Sequence, residues 1–427
     1  MPGSRFDTSG PGATDPLDEI IRIEGGQVLA TLIRLTGDID RAEDALQDAA
    51  LTAAEVWKRD GLPNSPGAWL TTVARHRALD MIRRESRRAP KEVAAFRMLT
   101  DAPTSRFVGR QADDSTDGVG DDILRLLFTC CHPALSEEAR IALALRTICG
   151  LSTVDIARVF VVPDATIGQR ISRAKAKIAN ARIPYRVPPA HELPDRLDGV
   201  LRVIYLLFTA GHHAPAGELA SRVDLAGEGI RLGRLMISLM PDEPECTGLT
   251  ALMLATHSRT GARLDGDGNL VLLSDQDRSL WDHTAIAEAA QMVESILRRR
   301  RPGIYQIQAA IACLHSLAPS FAETDWPQIV LLYALLEARW RTPIVRVNRA
   351  IAVAEVDGPA AGLVLLDELS GSPIERWHLY WSTRADFLRR LGSTADAIDA
   401  YRRALACPCN DTDCRFLESR LTSLGTP

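Results

Sequence analysis

The hydrophobic residues of this chain recur at the spacing of an α-helix from Ile20 onward, which predicts an all-α protein. The second half of the chain keeps the same period throughout. Its clearest predicted helices cover Leu197 to Phe208, Leu219 to Met240, Gly248 to Ser258 and Trp281 to Arg300. The pattern therefore predicts helical domains along nearly the whole length.

One stretch, residues 151–178, predicts two short helices joined by a sharp turn. The first helix carries apolar residues at near-helical spacing: Val154, Ile156, Ala157 and Phe160. Pro163 prevents its continuation, because proline has no N–H and clashes with the preceding turn. Asp164 could then cap the second helix. This order of elements is typical of a helix-turn-helix unit.

The second helix of this unit has one packing face and one basic face. The packing face holds Ile167, Ile171, Ala174 and Ile178. The basic face holds Thr166, Arg170, Arg173 and Lys177. Such a face fits the major groove of DNA, although arginine and lysine also commonly solvate an ordinary surface helix.

Residues 42–57 predict an amphipathic helix with an acidic outer face. The predicted packing stripe holds Leu46, Ala49, Ala50, Ala53 and Trp57. The outer face holds Asp44, Gln47, Asp48, Leu51 and Glu55. An exposed leucine among carboxylates is common on protein surfaces, but it also suits a partner that presents a basic helical hairpin.

Residues 68–88 combine aromatic, aliphatic and basic residues on one predicted helix. The apolar members are Trp69, Val73, Leu79 and Ile82, and the basic members are Arg75, His76, Arg77, Arg83, Arg84, Arg87 and Arg88. Aromatic and cationic side chains on one helix suit melted or single-stranded nucleic acid, since bases stack on rings and phosphates need neutralising. A charged helix end without a partner gives the same pattern.

Composition narrows the function classes. The chain of 427 residues has a net charge of −5, so nucleic acid would be bound by local basic patches and not by the protein as a whole. It lacks an apolar signal segment and any run long enough to cross a membrane, which predicts a cytoplasmic protein without membrane contact. Its eight cysteines are therefore expected to be reduced thiols.

The candidate metal and catalytic groups lack the spacing that such sites require. Cys130, Cys131 and His132 precede a proline without a zinc-ligand pattern, which favours buried thiols, with Ser136 as the cap of the next helix. The pair His212–His213 with Asp275 and Asp277, and the cysteines 407, 409 and 414, are weaker candidates for a hydrolase site, a zinc site or an oxidant sensor. We expect no catalytic residues, no metal and no cofactor, and hence no enzyme.

The last part of the chain contains an internal repeat of about 35 residues, near the tetratricopeptide spacing. Aligning Arg349 with Arg384 places Val353 opposite Leu388 and Leu366 opposite Tyr401. In the last unit, large, small and turn residues stand where that motif needs them: Trp381, Ala385, Leu388, Gly392, Ala397, Tyr401 and Ala404. Such repeats bury small residues between paired helices and leave a concave face for a peptide or a neighbouring domain.

The first half resembles the extracytoplasmic-function sigma factors, short members of the sigma-70 family of bacterial transcription initiation factors. The stretch AEDALQDA followed by Trp57 resembles the helix with which that family binds core RNA polymerase, which assigns this role to Asp44, Gln47, Asp48, Leu51 and Glu55. The stretch WLTTVARHRALDMIRR resembles the helix that melts the promoter and reads its −10 element. The residues implied there are Trp69, Thr72, Arg75, His76, Arg77, Arg83 and Arg84.

Residues 151–178 resemble the family's helix-turn-helix that reads the −35 element, closed by the run Ser172, Arg173, Ala174 and Lys175. The implied −35 residues are Thr166, Gln169, Arg170, Arg173, Lys175 and Lys177. His76 stands where many relatives carry Asn, and Gly168 stands where a larger residue is common, so the resemblance does not give the promoter sequence. The second half, including LLSDQDRSLWD at 272–282, resembles the long C-terminal extension of one subgroup of the family.

These expectations give five segments. They are a disordered tail (1–16), a core-binding and −10-reading domain (17–89), a flexible acidic linker (90–121), a −35-reading helix-turn-helix domain (122–186) and a tetratricopeptide-like extension (187–427). The predicted function is a sigma factor with core RNA polymerase and promoter DNA as partners, whose extension contacts the sigma domains or a regulatory protein and controls activity. The alternatives are a free-standing helix-turn-helix regulator with a repeat-type sensor domain, which does not replace a sigma subunit, and an enzyme tethered to a DNA-binding half.

Overall fold

The computed structural model describes residues 16–97, 118–160, 162–189, 191–212, 225–300 and 302–425. Within these ranges the regular structure is helical, apart from one isolated β-bridge between Leu264 and Leu270. The predicted all-α class is confirmed. Of the predicted disordered tail, residues 1–15 lie outside the described residues, and Pro16 begins the first helix.

The chain divides into two compact units, the first ending at Leu206 and the second beginning at Leu207. The first unit contains α1 (Pro16–Thr36), α2 (Ile39–Asp60), α3 (Pro66–Arg97), α4 (Gly118–Cys130), α5 (Glu137–Thr147), α6 (Thr153–Phe160), α7 (Asp164–Asn180) and most of α8 (Leu193–His212). The division falls inside α8, later than the proline-rich stretch at 184–194 suggests, because Arg202 of α8 pairs with Glu137 at 2.9 Å.

Capping residues set the starts of several helices in the first unit. Asp38 accepts a hydrogen bond from the Arg41 N–H at the start of α2. The predicted cap at Ser136 is confirmed, because its hydroxyl accepts from the Ala139 N–H. The predicted cap at Asp164 is wrong: Pro163 occupies the cap position without a side-chain hydrogen bond, and Asp164 is the first helical residue. Its carboxylate there still complements the helix dipole.

The helices at both ends of the predicted linker are longer than the sequence suggests. The backbone of α3 continues past Pro90 to Arg97, and α4 begins at Gly118. The remaining linker positions, 98–117, lie outside the described residues.

The second unit is built from helices that follow one another along the chain. They are α9 (Leu225–Leu239), α10 (Pro244–His257), α11 (His283–Leu297), α12 (Ile304–Leu317), α13 (Trp326–Arg339), α14 (Pro343–Val356), α15 (Pro359–Asp367), α16 (His378–Arg390), α17 (Thr394–Ala406) and α18 (Asp411–Gly425), with short 3₁₀ turns at Thr260–Ala262, Arg278–Leu280 and Pro373–Arg376. Sequence-adjacent helices pack on each other, as α14 with α15 and α16 with α17.

The residues that define the predicted repeat occupy the positions it requires. Ala385, Ala397 and Ala404 are fully buried where α16 meets α17, and Tyr401 is buried beside them. Gly392, in the turn between these helices, has a φ of +81°, which favours glycine. Small residues thus allow close approach of the paired helices, as the motif predicts.

The cysteines depart from expectation near the C-terminal end. Cys409 and Cys414 form a disulfide, so the prediction that all eight cysteines are reduced thiols is wrong for these two. The start of α18 brings them together, with their Cα atoms 5.9 Å apart. Cys130, Cys131, Cys149, Cys246 and Cys313 are buried and not disulfide-bonded. No group of three or more potential metal ligands forms, and no helix is long and apolar enough to cross a membrane, within the ranges given above.

Candidate functional site

The outer face of α2 is exposed along its whole length. Five predicted residues share it: Asp44, Gln47, Asp48, Leu51 and Glu55. Leu51 is 62% exposed, which is high for a leucine in the middle of a helix. The opposite face buries Ala42, Ala45, Ala49, Ala53 and Trp57. Ala45 lies deeper than the predicted Leu46, because small residues allow α2 to approach α1 and α3 closely.

The basic face of α3 lies beside this acidic face. Leu70, Ala74 and Ala78 fix α3 in the core, and the exposed predicted residues are Thr72, Arg75, His76, Arg77, Arg83 and Arg84. Trp69 differs from these, since it is half-buried and its ring meets that of Trp57 edge to face at 5.4 Å. The Arg77 guanidinium donates to the Thr52 hydroxyl of α2 at 3.4 Å. The two faces therefore belong to one rigid three-helix body.

Helices α6 and α7 form the predicted helix-turn-helix. The packing residues Ile156, Ile167, Ile171, Ala174 and Ile178 are buried. Of the predicted basic face, Gln169, Arg173 and Lys177 are exposed, and Thr166 and Arg170 are half-buried.

Arg170 is half-buried because it contacts the first helix of the unit, which helical spacing alone does not show. Its guanidinium lies over the Phe160 ring at 5.8 Å from the ring centre, a cation–π contact between the two helices of the unit. This contact orients Arg170, which is half-buried as a whole.

Lys175 does not join this face. It follows Thr166 by nine residues, or about two and a half helical turns, which places it on the opposite side of α7. Its ammonium donates to Asp40 and to Glu43 of α2, both at 2.8 Å, and its side chain is only 13% exposed. Burial acts to lower the pKa of Lys175, but these two hydrogen bonds outweigh burial, so the pKa is raised above its ordinary value. The Lys175 ammonium is therefore charged at neutral pH, and it loses its proton only in strongly alkaline solution.

Further contacts hold α1 against residues 122–185. The Arg34 guanidinium donates to Asp122 at 3.0 Å, and Arg125 donates to the other oxygen of the same carboxylate at 2.8 Å. The Asp122 side chain is 1% exposed. The Tyr185 hydroxyl lies 2.8 Å from the Ala30 carbonyl oxygen and 3.0 Å from that of Asp122. Burial, followed by the Asp122 charge, raises the pKa of Tyr185.

Gly26 lies where α1 comes close to the end of α5. A β-carbon at this position would overlap the carbonyl oxygen of Ile148, so α1 touches the end of α5 backbone to backbone. We refer to the contacts made by Gly26, Arg34, Asp40 and Glu43 with Asp122, Ile148, Lys175 and Tyr185 as the internal clamp. Sequence patterns did not reveal it, because each of its pairs is far apart along the chain.

Three protein families match parts of the chain. Residues 20–88 match the family described as Sigma-70 region 2, and residues 125–178 match the family described as Sigma-70, region 4. Residues 196–297 match a family of unknown function, DUF6596. The first two matches cover α2, α3 and the helix-turn-helix, and the third covers the start of the extension.

Other proteins are similar to all or part of the chain. An uncharacterised protein of Rhizobium meliloti, R00370, is 43% identical over 404 residues, 93% of each chain. A probable ECF RNA polymerase sigma factor of Mycobacterium tuberculosis, SigI, is 31% identical over 181 residues, 41% of this chain and 59% of that one. The ECF RNA polymerase sigma factor SigK of Mycobacterium bovis is 27% identical over 162 residues, 36% of this chain and 79% of that one. No solved structure matches the chain.

Proposed function

Because the chain belongs to the extracytoplasmic-function branch of the sigma-70 family, we propose that it binds core RNA polymerase in the cytoplasm and directs initiation at specific promoters. The observation that carries this proposal is the pairing of two unlike exposed faces on one rigid body. The acidic face of α2, with Leu51 at its centre, offers a docking surface to a basic partner. The basic face of α3 beside it suits the opened −10 element.

The −35 element would be read by α7. Thr166, Gln169, Arg170, Arg173 and Lys177 form the surface we propose for the major groove. Lys175 is left out of this surface, because it faces α2 and is already paired with two carboxylates. In this role the protein selects promoters and catalyses nothing itself.

A free-standing helix-turn-helix regulator is the second candidate, and DNA binding separates the two. A sigma factor of this kind should shift a promoter fragment in a gel only together with core polymerase, whereas a free-standing regulator should shift the fragment alone at the same concentration. If the free protein binds the promoter fragment, and adding core polymerase does not change this binding, the regulator is favoured.

The internal clamp has a consequence for this function. The centres of the −10 and −35 elements are about 25 base pairs apart, or roughly 85 Å at about 3.4 Å per base pair. Lys175 of α7 lies 2.8 Å from α2, which packs on α3. While the clamp is closed, α7 and α3 are too near each other to reach two DNA elements that lie about 85 Å apart. We therefore expect the clamp to open when the protein binds polymerase and promoter.

Reversing the charge of Lys175 should open the clamp. Lys175→Glu removes two charge-assisted hydrogen bonds and brings a carboxylate next to Asp40 and Glu43, so we expect amide exchange in α1, α4 and α7 to rise at least about tenfold. Hydrogen–deuterium exchange of the full chain measures this. The matched control is Lys177→Glu, an exposed lysine on the same helix, which should leave exchange unchanged and weaken promoter binding. Equal exchange in both variants would contradict the clamp.

The extension from Leu207 onward is proposed to regulate the sigma function through a contact with residues 20–182 or with a separate protein. We favour the tethered contact, because tethering gives a high effective concentration and lets even a weak interface stay mostly occupied.

Removing the extension should therefore change promoter-directed initiation in a purified system, and adding it back in trans should reverse the change. The cut belongs after Leu206, where the first unit ends, because cutting after Arg186 would also remove Arg202, which pairs with Glu137 in the first unit. Identical activity of the truncated and full-length proteins would count against intramolecular control.

A further inference from the structure

The second unit contains an open cavity of about 560 Å³, lined by α12, α13, α14, α16, α17 and α18, which we call the repeat cavity. Its volume lies within the range of small-molecule sites, roughly 300–1,000 Å³. Aromatic side chains supply much of its wall: Phe321, Trp326, Tyr333, Phe387, Tyr401 and Phe416. Ser382, Thr383 and Asn348 add hydrogen-bonding groups. A few polar groups among aromatic rings are typical of a site for an organic ligand.

The segment LLSDQDRSLWD at 272–282 forms one wall of the cavity. The Arg278 guanidinium of this segment donates to the carbonyl oxygens of His315 and Ala318, at 2.9 and 2.6 Å, and stacks on Trp281 at 4.4 Å. It thereby ties the segment to the end of α12 and places Leu272, Leu273 and Ser274 in the cavity wall. The hairpin before it is held from α18, because Arg415 donates to the Gly268 carbonyl at 3.0 Å. The wall is therefore a built part of the fold.

The charges that line the cavity do not balance. Arg389 pairs with Asp386 and Arg390 pairs with Glu355, both at 2.6 Å. Arg420 is the third lining arginine, and no carboxylate in the described part of the chain forms an ion pair with it. Its guanidinium rests over the Phe416 ring at 5.1 Å, which fixes its direction. Among the lining residues, one cation is therefore left without a paired carboxylate.

The surroundings add to the positive potential. Burial, followed by the charges of Arg259 and Arg278, lowers the pKa of His315 to about 4, so this lining imidazole is neutral at pH 7. Burial, followed by Arg263 and Arg278, lowers the pKa of Arg259 to about 10, and it still carries its charge at that pH. The cavity therefore favours an anion over a neutral or cationic molecule of the same shape.

We propose that the repeat cavity binds a small organic anion with a carboxylate on a flat aromatic body. The carboxylate pairs with Arg420, and the ring lies among the aromatic side chains. The polymerase and promoter surfaces use none of these residues, so the site gives the second unit a chemical input of its own. The inference does not rest on the proposed sigma function, because binding to the full chain can be measured without transcription.

The test is isothermal titration of the full-length protein with 1-naphthoate, and with 1-naphthamide as its neutral counterpart. We expect naphthoate to bind at least about tenfold more tightly than the amide, a difference of about 1.4 kcal/mol. Arg420→Met should remove this preference, lowering naphthoate affinity at least about tenfold while leaving the affinity for the amide unchanged. Arg403→Met is the matched control, since Arg403 also stacks on a ring, that of Trp381 at 4.8 Å, but lies outside the cavity wall.

The titrations can support or overturn the proposed anion site. Thermal unfolding confirms that each variant folds, and Arg420→Gln, which removes the charge but keeps a polar end on the side chain, replaces the methionine variant if that one does not fold. Loss of the anion preference in the Arg420 variant alone supports the proposal. Equal affinity for naphthoate and naphthamide, an equal loss in the Arg403 variant, or no binding of naphthoate at millimolar concentration would overturn it.

Discussion

Replacing Asp48 by Arg together with Gln47 by Ala should abolish binding of the protein to core RNA polymerase. Both side chains lie on the exposed face of α2 beside Leu51, and a basic partner would lose an acceptor and meet a like charge at the centre of the contact. Truncating or reversing a central charge in an interface commonly costs about 2–5 kcal/mol, or about 30-fold to several thousand-fold in affinity. Co-purification with core polymerase measures the loss.

The same double substitution should leave the fold intact, since exposed positions away from caps and cores usually change stability by less than about 0.5 kcal/mol. Circular dichroism and thermal unfolding check this. Asp198→Arg is the matched control, because Asp198 is also an exposed aspartate but lies on α8, away from the proposed docking face, and this variant should bind polymerase like the unaltered protein. Undiminished binding by the Asp48 and Gln47 variant would contradict the docking face.

Replacing Arg170 or Arg173 by Ala should weaken promoter binding by the complex with core polymerase. Arg170 is held by Phe160, and Arg173 is exposed on the same side of α7. An arginine that reads a base contributes about 1–3 kcal/mol, so each variant should lose about 5- to 150-fold in affinity for the cognate promoter. Fluorescence anisotropy with labelled promoter DNA measures this.

A second DNA distinguishes the two kinds of contact that these arginines can make. With a scrambled −35 element, a variant that lost a base contact should bind like the unaltered protein. A variant that lost a phosphate contact should bind both DNAs less tightly, and its salt slope should fall by about one. No loss on either DNA would mean that this face of α7 does not meet the −35 element.

Helical periodicity predicted the faces of single helices well. Leu51 and its neighbours on α2 are exposed where the sequence placed them, and Ile167, Ile171 and Ile178 are buried. The reason is that a face depends only on residues three or four apart, which the sequence shows directly. The same reasoning gave the repeat in α14 to α17, since its period also lies along the chain.

Contacts between distant residues were not predicted in the same way. Lys175 follows a basic run and was assigned to DNA by resemblance, but its partners stand 132 and 135 residues earlier and hold it on the other side of the helix. The cavity likewise joins Leu272 to Arg420, and nothing in local spacing indicates that these residues share a wall. The predicted cap at Asp164 failed by one position, because Pro163 itself adopts the extended conformation that a cap requires.

Transcription with purified core RNA polymerase from the source organism tests the central claim most directly. Genomic DNA would serve as template, and the 5′ ends of the transcripts would be sequenced. The account predicts discrete start sites that appear only when the protein is added and that share sequence elements near −10 and −35. They should disappear with the Asp48→Arg, Gln47→Ala variant. If the protein is folded and adds no start sites to core polymerase, or adds the same ones when its α2 face is reversed, the account is contradicted.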